Sequence, residues 1–169
     1  MMRAGQVPGR AARDPSRGEE ARMLRIRREQ LLVLSDAVSR ARVEELIERL
    51  VPRLLADIPA APAEWPMTPG TAQTLGPEPL ARCLEAAARH GLVTEEGARL
   101  YVALALAHGW DFEARPDTAW LRQLLEDEDV FDPTERARRA HAEWCRRRTL
   151  MEENQRREAE FLSRFGMTE

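Results

Sequence analysis

The sequence predicts an all-α fold: a small irregular helical bundle around a buried central helix at about 95–108, with a disordered N-terminus and a long charged C-terminal helix. Three observations carry this. Every residue from Leu100 to Ala107 is apolar, so a helix there is hydrophobic on all sides and has to be surrounded by other elements. Between Gln30 and Ile58, apolar residues recur at helical spacing with charges between them. Finally, Asp132-Pro133-Thr134-Glu135 reads as a helix start, followed by a stretch nearly free of breakers until Gly166.

Residues 1–22 are rich in Gly, Pro, Arg and polar side chains and offer almost nothing to bury, which predicts a disordered extension. Met23 opens a more patterned segment and is a candidate biological start. The next apolar positions, Leu31, Leu34, Val38, Val43, Leu46, Ile47, Leu50, Leu54, Leu55 and Ile58, predict one amphipathic helix or two in succession. Pro52 lacks an N–H and crowds the carbonyl four residues earlier, so a kink or break is expected between Glu48 and Pro52. Residues 59–79 hold six of the eleven prolines together with Gly70 and Gly76, a density that predicts a loop with no regular element. A helix from about Glu78 to His90 follows, with Pro79 in its first turn and Gly91 as its stop. Thr94 is placed to cap the central helix, Glu95 and Glu96 suit its positive end, and Gly109 suits a left-handed stop. Asp117 or Thr118 is expected to cap a short helix that ends where the acidic run Glu126–Asp129 begins. The last helix carries Ala137, Ala140 and Trp144 for docking, then Leu150, Met151, Phe161, Leu162 and Phe165 without a continuous stripe, so its second half is expected to project. The domain plan is an extension at 1–22, a helical domain at 23–131 with the Pro-rich loop 59–79, and the C-terminal helix at 132–166.

Composition narrows the function classes. All 26 basic residues are arginine, which alongside abundant Ala, Gly and Pro reads as a GC-rich coding composition rather than selection for phosphate recognition. The net charge of −3 conceals an asymmetry: residues 1–58 hold 12 Arg and 9 acids, 59–132 hold 5 and 13, and 133–169 hold 9 and 7. Basic ends around an acidic middle suit a protein that holds its ends against its own core or recruits a partner, not the uniformly basic surface of a nucleic-acid binder. Cys83 and Cys145 lie far apart and in no motif, which suggests ordinary thiols in a reducing compartment. No apolar run approaches the ~20 residues a membrane span needs, and no signal-like segment is seen, so a cytoplasmic location is expected.

Catalytic, cofactor and metal constellations are not found. His90 and His108 fall at helix ends, where imidazole suits the negative dipole end. His141 and Cys145, four residues apart on one face, fall short of the four ligands of a closed zinc site even with Cys83. Asp111 and Glu113 flank Phe112 after the buried helix and are the only candidate acid and base pair, but no His, Lys or Ser arrangement in the sequence names a reaction for them. Trp65 and Met67 lie in the Pro-rich loop, where Trp65 either pins the loop to its own domain or serves as an exposed anchor for a partner. The cluster Arg136, Arg138, Arg139, Arg146, Arg147 and Arg148 can form a solvated or internally paired face, meet a protein partner, or contact phosphates.

From Met23 to Leu125 the order of features resembles a group of small, uncharacterised helical proteins of type VI secretion gene clusters. The residues that carry the resemblance are Met23 to Leu31, His90-Gly91-Leu92-Val93-Thr94, Tyr101-Val102, Gly109-Trp110-Asp111-Phe112 and Trp120. The resemblance implies an accessory, adaptor or chaperone-like role beside a secreted spike or effector, and no catalytic residues. The expectation is therefore a non-enzymatic interaction protein whose partner is a secretion-system protein or a second copy, with no cofactor, metal or membrane. Its partner-binding residues are Trp65, Met67, Arg139, Trp144, Arg146, Arg147, Arg148, Met151, Phe161 and Phe165. The alternative is a small regulatory nucleic-acid-binding protein using the arginine cluster.

Overall fold

A computed structural model describes residues 28–165, with side chains from Asp36 onward; the expectations for 1–22 and for Met23 lie outside the described residues. Six α-helices follow in order: α1 Arg28–Ala60, α2 Pro69–Thr74, α3 Pro77–Arg89, α4 Glu95–His108, α5 Ala119–Leu125 and α6 Pro133–Arg164. Two 3₁₀ turns, Phe112–Ala114 and Pro116–Thr118, lie between α4 and α5. The described residues contain no strand, as an all-α fold requires. The chain divides into two units, residues 1–38 and 39–169, and the core described next belongs to the second.

Helix α4 is the centre of that core. Ala98 and every residue from Tyr101 to Leu106 are buried, so no face of its middle turns meets solvent. Leu50, Leu54 and Ile58 of α1, Leu80, Leu84 and Ala87 of α3, Leu121 and Leu125 of α5, and Ala137, Ala140 and Trp144 of α6 complete a single cluster around it. Small residues set the closest approaches. A Cβ on Gly97 would stand 3.1 Å from the Leu92 side chain and 3.4 Å from Thr134 Oγ, so glycine lets the start of α6 come close to α4.

The charge asymmetry is used inside the fold. Arg53 of α1 reaches Glu95 at 2.9 Å, and Asp57 of α1 takes Arg99 at 3.0 Å. Arg138 of α6 holds Glu96 in a two-bond fork of 2.7 and 2.8 Å. Each pair ties a flanking helix to α4 across the sequence. All are partly solvent-exposed, so they fix orientation more than they add stability.

The helix ends show which local signals governed. Thr94 Oγ accepts the Gly97 N–H at 3.1 Å, and Gly109 ends α4 at φ 108°. The end of α3 is a Schellman turn: Leu92 N–H donates to the Ala87 carbonyl and Gly91 N–H to that of Ala88, with Gly91 at φ 78°. Asp132 accepts from the Thr134 N–H at 2.9 Å. Glu135, which in a capping box would reach back to the Asp132 N–H, turns to Arg138 and Arg139 instead.

Three expectations are corrected. The break expected between Glu48 and Pro52 is absent: helix α1 runs unbroken through Pro52 and Pro59. Pro52 sits on the exposed side, where water can take the carbonyl it leaves unpaired, while buried Leu50, Val51 and Leu54 hold the turn around it. The 59–79 segment is not one loop: α1 extends to Ala60, α2 occupies Pro69–Thr74 behind a Thr68 cap, and α3 already starts at Pro77. Three of its prolines, Pro69, Pro77 and Pro79, stand in the first turn of a helix, where a missing N–H costs nothing. Thr118 does not cap α5; its buried hydroxyl donates to the Phe112 carbonyl and pins the double 3₁₀ turn.

Candidate functional site

The end of α4, the start of α5, the middle of α6 and one strapped segment form a groove of about 420 Å³, lined by Met67, His108, Trp120, Trp144, Arg147, Arg148 and Met151 among others. Its position follows from local bonding. The Leu106 carbonyl near the end of α4 accepts both the Thr68 N–H at 3.0 Å and the Thr71 hydroxyl at 2.8 Å, which straps residues 66–68 along one wall. Gly109 then stops α4 and leaves His108 in the groove. Trp120 of α5 and Trp144 of α6 face the His108 ring edge-on, with centroids 6.3 and 6.1 Å away. Arg147 lies over Trp120 at 3.9 Å and Arg148 over Trp144 at 5.1 Å, a stacked cation on each indole.

Two polar atoms here are buried without a hydrogen-bond partner among the described residues: His108 Nε2, and Arg148 Nε, which has the Glu152 carboxylate 3.6 Å away as an ion-pair partner. Burial, reinforced by Arg115 and opposed by Asp117, holds the His108 pKa below the ordinary histidine value, so the ring is neutral near pH 7. Apolar walls, stacked guanidinium groups and unmet polar atoms together suit a ligand that has an apolar anchor beside an acceptor.

Five of the ten residues expected to bind a partner come together here: Met67, Trp144, Arg147, Arg148 and Met151. The structure separates the others. Trp65 is 6% exposed beneath Arg99, whose guanidinium lies 5.1 Å from the ring, so it pins its segment and is not an exposed anchor. Trp144 is itself 7% exposed and presents only an edge. Arg139 stands 3.5 Å from Glu135, away from the groove. Arg146 and Arg147 share Glu143 at 2.7 Å each, which pulls that carboxyl down to about 2. Much of the arginine cluster is thus paired within its own helix or to Glu96, which leaves less free charge for phosphate than the sequence suggests. Phe161 and Phe165 lie further along α6, exposed, with rings 4.6 Å apart. Sequence reading missed His108, taken as a helix terminus, and Trp120, named only among the residues that carry the resemblance. Their shared proximity to α6 is not written in any local spacing.

A second cluster was also illegible in the sequence. His90 Nε2 lies 2.6 Å from Glu113 Oε1, and the Tyr101 hydroxyl donates to the same oxygen. Burial works to raise the Glu113 pKa, yet the bonds from His90 and Tyr101 outweigh it and hold the carboxyl below its ordinary range. Burial first, then Glu113, pushes the Tyr101 phenol up. The same two causes push the buried Cys83 thiol up to about 12. Tyr101 and Cys83 therefore stay protonated near neutral pH, and Glu113 serves as an acceptor that joins the turn after α4 to the end of α3. Asp111, expected as its acid and base companion, is exposed and does not join the cluster.

His141 Nδ1 stands 3.8 Å from Cys145 Sγ, and its ring packs on Trp144 at 5.2 Å. No helix among the described residues is long and apolar enough to cross a membrane. Compared with protein-family models, curated proteins and solved structures, the chain matches none.

Proposed function

We propose that this chain is a non-enzymatic interaction module that receives a segment of a protein partner in the groove between residues 66–68, α5 and α6. The observation that supports the reading is the groove itself, where two indoles and two methionines stand beside stacked arginines and the unpartnered His108 Nε2. A segment with one large apolar side chain and a neighbouring carboxylate or carbonyl would fill the apolar space and accept from the arginine donors. The resemblance at Met23 to Leu125 supplies the candidate partners, the spike and effector proteins of a secretion cluster, for which this chain would be an accessory or adaptor.

Co-purification with defined spike and effector proteins, comparing the wild-type chain with Met67→Glu, tests the reading. Met67 is half-buried at the groove wall, so the variant places an acid in the site without emptying the core. Retention by the wild type and loss by Met67→Glu is expected. Equal retention by both, or by neither, would overturn it.

A further inference from the structure

Helix α6 carries one seam at alternating three- and four-residue steps: Ala137, Ala140, Trp144, Arg147, Met151, Asn154, Glu158, Phe161 and Phe165. Its first three positions are buried against the body of the protein. Beyond them the same seam is uncovered, with Met151, Phe161 and Phe165 at 57%, 57% and 60% exposure. A seam of this period is what a second helix covers.

We infer that the occupant is a second copy of this chain, joined through antiparallel pairing of the two α6 helices about a twofold axis near Arg156. The inference goes beyond the reading of the groove: it concerns the uncovered second half of α6, of which only the inner end borders the groove. The register is in the sequence: reversed about residue 156, the uncovered seam is its own complement. Phe165 then falls on Arg147 of the other copy, Phe161 on Met151, and Asn154 on Glu158. Each layer has a chemical sense: a ring under a guanidinium, a ring against a thioether, and an amide donating to a carboxylate. The pairing is isologous and closed, so it ends at a dimer.

The parallel alternative would set Glu158 on Glu158 and bring the two Arg146–Arg148 runs side by side, both like-charge placements. Antiparallel pairing also carries Phe161 and Phe165 of each copy to the part of α6 that lines the other's groove. There Met151 offers apolar surface and Arg147 is already stacked in place. The polar middle of the seam, Asn154 and Glu158, weakens the contact but admits only this register, as a single polar seam position does in coiled coils.

Sedimentation of the full chain up to about 100 μM tests the inference. A mass of twice 19.3 kDa is expected, and the exposed-site variant Phe161→Ala/Phe165→Ala should raise the dissociation constant at least about tenfold with unchanged circular dichroism. Orientation is read by disulfide trapping with oxidised glutathione in a Cys145→Ser background. Met151→Cys mixed with Phe161→Cys should cross-link. Met151→Cys alone should not, because its two copies stand ten residues, or about 15 Å, apart along the helix. A monomer at every concentration, a dimer indifferent to the phenylalanine changes, or Met151→Cys self-linking as fast as the mixture would overturn the inference. The groove reading is tested separately, by partner retention on the Phe161→Ala/Phe165→Ala chain. A chain that never dimerises yet loses its partner on Met67→Glu overturns this inference alone.

Discussion

Replacing Tyr101 with Phe removes one hydroxyl and nothing else, at a point where three elements meet. Tyr101 is 2% exposed on α4, and its hydroxyl donates to the Glu113 oxygen that His90 of the α3 terminus also approaches at 2.6 Å. A hydrogen bond to a charged acceptor contributes about 1.5–3 kcal/mol. The Glu113 side chain is 25% exposed, so water can take over part of the lost bond, which points to the lower half of that range. Phenylalanine keeps the ring contacts with Phe112 at 5.2 Å and His90 at 5.8 Å, so no cavity adds to the loss. The expected cost is therefore about 1.5–2 kcal/mol, or roughly 3–8 °C in Tm for a chain of this size. Urea unfolding followed by circular dichroism measures it, and a cycle with Glu113→Ala assigns it to the pair. In the Glu113→Ala background, Tyr101→Phe should cost close to nothing. A loss within about 0.5 kcal/mol of zero in the wild type, or an equal loss in both backgrounds, would refute the account of this cluster as a staple.

Acid should weaken the fold in two stages. Burial lowers the His108 and His141 pKa values, so below about 6.5 the unfolded chain takes up protons that the folded one resists, and stability falls as pH drops from there. The Glu113 contribution is fully present above about 4.3 and is lost as pH falls through its lowered folded value; urea midpoints from about pH 8 to pH 3 should show Glu113→Gln flattening only the lower stage. Gly109→Ala forces a side chain to φ 108° and ψ 152° and brings its Cβ to 3.1 Å from Asp111 Oδ1, which should cost about 1–3 kcal/mol. Gly70→Ala, with nothing within 4 Å, should leave stability unchanged or raise it by up to about 1 kcal/mol, and thermal melts of the two separate backbone strain from side-chain size. Ellman titration of the native chain should find half-buried Cys145 reacting first and Cys83, with its thiol pushed up to about 12, reacting only on unfolding; two fast thiols would contradict the burial of Cys83.

What the sequence determined by itself was local and periodic. The all-apolar run at Leu100–Ala107 had only one stable placement, inside a ring of helices, and the structure puts α4 there. The caps at Thr94 and Asp132 and the stops at Gly91 and Gly109 were readable because each concerns a bond or a torsion within a few residues. Breakers were misread in the other direction. Pro52, Pro69 and Pro77 were counted as interruptions, but their effect depends on exposure and on position within a turn, which packing decides. The candidate site was legible only in pieces. Met67 lies 77 residues before Trp144, and His108, Trp120 and Arg147 belong to three different helices or helix ends, so no spacing rule links them. Tertiary structure alone brought them together, and the same holds for His90, Tyr101 and Glu113. The α6 seam stands between the two cases. Its steps are written in the sequence from Ala137 to Phe165, but only the structure shows where the body stops covering it, because burial is a property of what lies opposite a helix and not of the helix itself.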